Sequence, residues 1–176
     1  MSCLGVHFAL TEEQEKKLLS LPPGDERIDY LQEDIEEAWD KEFLAESDKA
    51  WDGIHRTLTG YPNGESRFTE DMLQKSGPEE LRLCIMGGRN LHDTPVGNAD
   101  YIMRLVDADK VPAVALALAA ITQDWFAENY RVRCKDVWPE YGEEDLEYSW
   151  DCFQNVRALF ERAAKAGRSV LFTADQ

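Results

Sequence analysis

A chain of 176 residues that is 43% apolar, with five Trp and seven Phe, has the length and composition of one folded domain with its own core, which excludes an intrinsically disordered protein. Its 35 acidic side chains against 19 basic ones leave a formal charge of −16, a field that repels nucleic acid and anionic membrane and attracts basic surfaces. The longest apolar run, residues 111–121, contains a Pro and is well short of the roughly 20 residues a membrane span needs.

Residues 2–10 alternate apolar with small or polar positions and predict a first strand. The opening Met-Ser-Cys-Leu-Gly has no basic region or cleavage pattern, so no signal peptide is expected. Thr11, followed by Glu12, Glu13 and Gln14, is an N-cap with first-turn acids and predicts a short helix to about Ser20. Pro22-Pro23-Gly24-Asp25 stops it. From Ile28 the apolar positions Leu31, Ile35, Ala38/Trp39 and Leu44 keep helical spacing with one core face. Glu46-Ser47-Asp48 then reads as the cap of a further helix through about Thr59, ended by Gly60-Tyr61-Pro62-Asn63-Gly64.

In the middle of the chain Leu81-Arg82-Leu83-Cys84-Ile85-Met86 and Tyr101-Ile102-Met103-Arg104-Leu105-Val106 both predict strands, with a Gly- and Pro-containing loop between them. Residues 111–130 predict one helix, apolar nearly all round at first and therefore central and buried. Residues 137–141 (Val-Trp-Pro-Glu-Tyr) read as an irregular link. Leu146, Trp150, Phe153, Val156/Arg157, Phe160 and Ala164 predict a long last helix closed by Gly167, and residues 169–173 a final strand. Strands at both ends and in the middle, joined by unequal helical stretches, predict an α+β fold rather than a doubly wound one. The expectation is a single domain over residues 1–176, with a small, mostly antiparallel sheet of three or four strands and about five helices on one face.

Candidate chemistry is sparse. Asp48, Trp51, Asp52 and His55 fall at i, i+3, i+4 and i+7 of the expected helix, so a carboxylate could orient His55 as a general base. The competing reading puts Trp51, Ile54 and Leu58 in the core stripe with His55 at its edge. Met86-Gly87-Gly88-Arg89-Asn90 resembles a phosphate-cradling turn but lacks a following Lys-Ser/Thr, and a turn needing positive φ explains the glycines as well. Arg89, His92 and Asp93 are the polar groups any site in this loop would use. His7 faces away from Val6 and Phe8, exposed or beneath a loop. The three histidines, and Cys3, Cys84, Cys134 and Cys152, show no metal-ligand spacing, so no metal or cofactor is expected, and reduced buried thiols fit a cytoplasmic protein.

The charge is concentrated. Fifteen carboxylates and five basic side chains lie between Thr11 and Asp52. Glu33, Asp34, Glu36, Glu37 and Asp40 crowd two turns, and like charges at i, i+3 and i+4 cost a few tenths of a kcal/mol per pair. A solvated helix face explains such a run, but an uncompensated cost also points to a partner.

Several stretches together resemble the YfbM-like family of bacterial proteins: the run Asp48-Lys49-Ala50-Trp51-Asp52-Gly53-Ile54-His55 on to Leu58-Thr59-Gly60, Gly87-Gly88, Asp109-Lys110-Val111, Val137-Trp138-Pro139, and the aromatic helix and strand that close the chain. The resemblance implies an α+β domain of the bacterial cytoplasm and brings no catalytic residues, since most members carry no assigned activity. The acidic segment 25–42 departs from the family pattern. The resulting expectation is a non-enzymatic domain whose Glu33, Asp34, Glu36, Glu37 and Asp40 bind a basic protein, in concrete form an immunity protein neutralising a toxin. The alternative is an enzyme or small-ligand binder using Asp48, Trp51, His55, Gly87, Gly88, Arg89 and His92. A third is a subunit whose main role is self-association. None of these involves nucleic acid or membrane.

Overall fold

The computed structural model describes residues 4–62, 68–95, 101–134 and 142–175. Five antiparallel strands form one sheet in the order β2-β1-β5-β4-β3. Strand β1 (Gly5–Leu10) and strand β5 (Ser169–Asp175) pair along six residues, from Gly5 opposite Ala174 to Leu10 opposite Ser169. Beyond β1 lies β2 (Leu44–Asp48); beyond β5 lie β4 (Tyr101–Val106) and the two-residue β3 (Arg89–Asn90).

Strand parity sorts the core into two layers. Phe8, Leu10, Met103, Leu105 and Leu171 point to one face, where Leu18, Leu31 and Ile35 cover them. Those three come from helix α1 (Glu12–Ser20) and from helix α2 (Asp25–Tyr30), which runs on as a π-helical turn over Leu31–Glu36. Ala9, Ala45, Ile102, Val106, Val170 and Phe172 point to the other face. There they meet helices α3 (Trp51–Thr59), α4 (Glu70–Lys75), α5 (Glu79–Arg82), α6 (Val111–Ala119), α7 (Gln123–Arg133) and α8 (Glu143–Ala166). The α+β class holds, but the described residues carry eight helices and five strands, and helices cover both faces rather than one.

Helix ends follow their local chemistry. Thr11 and Gln14 form a reciprocal capping box at the start of α1, and Gly167 ends α8 in the left-handed conformation at φ 65°. Three expected elements differ. Residues 44–48 are strand rather than helix, because Leu44 and Ala45 turn to opposite layers of the core and the chain pairs with β1. Helix α3 accordingly begins at Trp51, with Ala50 as an N-cap that makes no side-chain bond.

Residues 81–86 belong to the short helix α5 and the turns after it, with the Leu83 amide bonded to the Glu79 carbonyl at 3.0 Å. A brief apolar run, buried except at Arg82, has no period by which to distinguish strand from helix. The expected helix over 111–130 is two helices, because the Thr122 hydroxyl accepts the Trp125 amide and caps α7. Helix α6 buries Val111, Val114 and Leu118 but leaves Leu116 exposed, so it is not buried all round. The irregular link at 137–141 and Cys3 lie outside the described residues.

Trp51 is buried, its ring 5.8 Å from that of Phe68 and 5.7 Å from that of Phe172 on the central strand. Trp51→Ala is expected to cost roughly 3–5 kcal/mol as a large-to-small core change. Urea unfolding checks this, and an unchanged midpoint would contradict the packing.

Candidate functional site

The acidic segment is built on the π-helical turn. The Glu37 amide bonds to the Gln32 carbonyl five residues back at 3.2 Å, which widens the turn by one residue. Leu31 and Ile35 stay buried while Glu33, Asp34, Glu37 and Asp40 are exposed. Glu36 differs from the other four. It is half-buried, and its Oε1 accepts the Tyr101 hydroxyl at 2.6 Å, tying the turn to β4. Burial, and then the Glu36 carboxylate, raise the Tyr101 phenol above its ordinary range, so it stays a donor. Trp39 follows at φ 40° and 39% exposed, lying between Glu37 and Asp40 in the chain. A large aromatic held in the left-handed region is unusual.

The expected Asp48–Trp51–Asp52–His55 face does not form as one unit. Asp48 ends β2 at φ 44°, outside the helix, and the Tyr148 hydroxyl bonds to it. Trp51 is core. Asp52 bonds Arg56 Nε at 2.9 and 3.1 Å; burial raises its carboxyl pKa, against the pull of Arg56. His55 is fully buried beside the rings of Tyr61 and Phe68 at 6.0 and 5.7 Å, and neither ring nitrogen has a hydrogen-bond partner. Burial first, then the charges of Arg56, Arg104 and Arg82, lower its pKa to about 3. This is a neutral imidazole sealed in the core, without the contact to a carboxylate that a general base would use.

Gly87, Gly88 and Arg89 line a cavity of about 210 Å³ with Gln74, Glu79, Arg82, Asp107 and Lys110. Neither glycine has positive φ. Each is required by close packing instead. A Cβ on Gly87 would stand 2.6 Å from the Arg82 carbonyl carbon, and one on Gly88 2.8 Å from the Leu105 oxygen. His92 lies beyond the cavity in a self-contained turn, where its Nδ1 accepts the Thr94 amide at 3.0 Å and its own amide donates to Asn90 Oδ1 at 3.1 Å. Arg27 Nη1 donates to the Leu91 carbonyl at 2.8 Å, so this loop packs against α2. The loop and the acidic segment are thus neighbours, while His55 is absent from the cavity wall.

Sequence reasoning missed Arg104. It is fully buried on β4, donates to the Met86 carbonyl at 2.8 Å and holds Glu70 through two bonds of 2.7 and 3.1 Å. Its one signal was a cation inside an apolar strand. His7 does lie beneath a loop, fully buried, with Nε2–H donating to the Cys84 carbonyl at 3.0 Å. Cys84, Cys134 and Cys152 are buried free thiols. Burial raises all three, Cys134 and Cys152 to about 11, which disfavours a nucleophilic thiolate. Among the described residues no group of three or more His, Cys, Asp or Glu could hold a metal ion, and no helix is long and apolar enough to cross a membrane.

The buried histidines make stability depend on pH. Burial lowers His7 to about 4 and His55 to about 3 in the fold, whereas both return to about 6.5 when unfolded. The unfolded chain therefore binds more protons between these values. The contribution is complete above pH 7 and is lost as pH falls, on the order of 1–2 kcal/mol per histidine by pH 5. Thermal midpoints measured from pH 7 to pH 5 should fall, and more shallowly in His55→Gln. A flat wild-type profile would contradict the assignment.

Among solved structures, the crystal structure of a protein of unknown function, YfbM from Escherichia coli, matches with a TM-score of 0.63 at 16% identity, over 97% of this chain and 99% of that one. At this identity the likeness is one of fold. No curated protein matches the chain. The family described as Domain of unknown function (DUF1877) matches residues 1–173, and this chain, a YfbM-like domain, belongs to it.

Proposed function

We propose that the protein is a non-enzymatic domain of the bacterial cytoplasm that binds a basic protein through the acidic edge of α2, the π-helical turn and Trp39. In its concrete form it is an immunity protein that neutralises a basic toxin. The observation that carries this reading is Trp39, half out in water at φ 40° with Glu37 and Asp40 beside it in the chain. Trp is the side chain most enriched at the energetic centres of protein interfaces, and surrounding carboxylates would steer a cationic partner toward it. Residues 25–42 hold nine carboxylates against Arg27 and Lys41, and Arg27 turns its guanidinium inward to the Leu21 and Leu91 carbonyls. Within the segment that leaves Lys41 to offset them, with Arg162 at its end donating to the Glu42 carbonyl at 2.7 Å. The neutral, enclosed His55 supports the non-enzymatic side of the reading.

The test is association kinetics against a panel of purified basic nuclease-toxin domains. The triple variant Glu33→Lys, Asp34→Lys, Glu37→Lys is expected to slow association about tenfold at low salt and less at high salt, because exposed charges are screened over about 8 Å at physiological ionic strength. Trp39→Ala is expected to speed dissociation. The triple charge reversal should not lower the thermal midpoint, since it alters exposed positions. Unaltered kinetics in both variants, or no binding across the panel, would overturn the proposal.

A further inference from the structure

The cavity beside Gly87 and Gly88 carries the opposite charge from the rest of the molecule. Three cations, Arg82, Arg89 and Lys110, line it with two carboxylates, Glu79 and Asp107. Two of the cations are held by those carboxylates. Arg89 Nη2 lies 2.9 Å from Asp107, and Lys110 Nζ lies 3.2 Å from Glu79. Arg82 pairs with no carboxylate among the described residues; its Nη1 donates to the Gly77 carbonyl at 3.1 Å. A guanidinium has five N–H donors in a planar fork suited to two oxygens of one anion. One backbone bond leaves much of that capacity unused, at the wall of a cavity with space for a small molecule.

We infer that this cavity is a binding site for a small oxyanion, the phosphate or carboxylate head of a metabolite, with Arg82 as its principal ligand. Glu79 and Asp107 fix Lys110 and Arg89 in place and leave the group of five with one net positive charge, in a chain whose total is −16. An anion reaching the cavity would give Arg82 a carboxylate-like partner at a charge-assisted hydrogen-bond distance. Gly87 and Gly88 contribute by their missing side chains. They let the turn lie against Arg82 and Leu105, which fixes the cavity's inner wall as backbone. The acidic edge plays no part in this site, so the two readings stand or fall separately.

The experiment is an amide-resolved NMR titration of the whole chain with sodium phosphate and, separately, sodium acetate, at ionic strength held constant with sodium chloride. Shifts confined to residues 82–89 and 105–110 are expected to saturate on the order of 1 mM, the affinity of a single small ion. Saturation by phosphate alone, by acetate alone or by both names the head group and supports the site. Arg82→Gln and, independently, Arg89→Gln should each weaken saturation at least tenfold. Lys165→Gln, on the far end of α8 and paired with Glu161 at 2.8 Å, should leave it unchanged. Linear drift with both anions, shifts spread over the surface, or wild-type affinity in a folded Arg82→Gln would overturn the inference.

Discussion

The pairing of β1 with β5 is the constraint on which the rest of the structure depends. The first and last strands of the described chain lie side by side at the middle of the sheet, Gly5 opposite Ala174 and Leu10 opposite Ser169. Every helix and every other strand is an insertion between two partners more than 150 residues apart. The entropy of closing so long a loop rises only with the logarithm of its length, so stability tolerates it. Folding rate is more sensitive, because contacts this non-local slow the search for the native pairing. Once the register is set, parity decides everything above and below it. Phe8 and Leu171 must face α1 and the π-helical turn, and Ala9, Val170 and Phe172 must face α8 and its neighbours.

On that second face, side chains of the sheet hold an irregular stretch of backbone in the core. Residues 83–88 follow α5 without forming a strand, and buried carbonyls there need donors. His7 supplies one for Cys84 and Arg104 one for Met86. The charge of Arg104 is balanced by Glu70 on α4, half-exposed at the rim. Removing Glu70 would leave the buried charge of Arg104 unbalanced, which is far more costly than never having built the pair. The same turn is pressed flat by Gly87 and Gly88, and the cavity with its three cations lies along it. A structural device for satisfying backbone thus shapes this concave, cationic feature.

Much of this was legible wherever the signal was local. The Thr11–Gln14 box, Gly167, the spacing of α8 and strands β4 and β5 all announce themselves within a few residues. The failures came where apolar residues continued a pattern across a break. Leu44 keeps helical spacing after Ile35, yet Trp39 turns the chain and Leu44 enters a strand. The run at 81–86 is too short and too buried to show a period. Thr122 before Gln123, Asp124 and Trp125 was a readable N-cap, masked by the apolar stretch leading into it. The candidate site divides in the same way. Exposure of Glu33, Asp34, Glu37 and Asp40 follows from local amphipathicity, whereas the diversion of Glu36 depends on Tyr101, 65 residues away. Asp48 and His55 could share a helix face only if both were in the helix. The inward turn of Arg104 was readable as a cation in an apolar strand, but its partner was not.

Many of this protein's arginines serve the backbone. Arg27, Arg56, Arg104, Arg133, Arg157 and Arg168 each donate to a main-chain carbonyl, of Leu91, Pro62, Met86, Thr57, Ile121 and Ala9 respectively. Arginine suits that task, since its planar fork stays charged and reaches a carbonyl without a strict hydration requirement. Each guanidinium turned to the backbone contributes less to neutralising the carboxylates outside. Two places define the functional hypotheses. The segment that forms the α2 edge holds nine carboxylates against Arg27 and Lys41, and among the described residues Arg82, in the cavity beside Gly88, pairs with no carboxylate. Charge complementarity then assigns opposite ligands to the two, a basic surface to the first and a small oxyanion to the second.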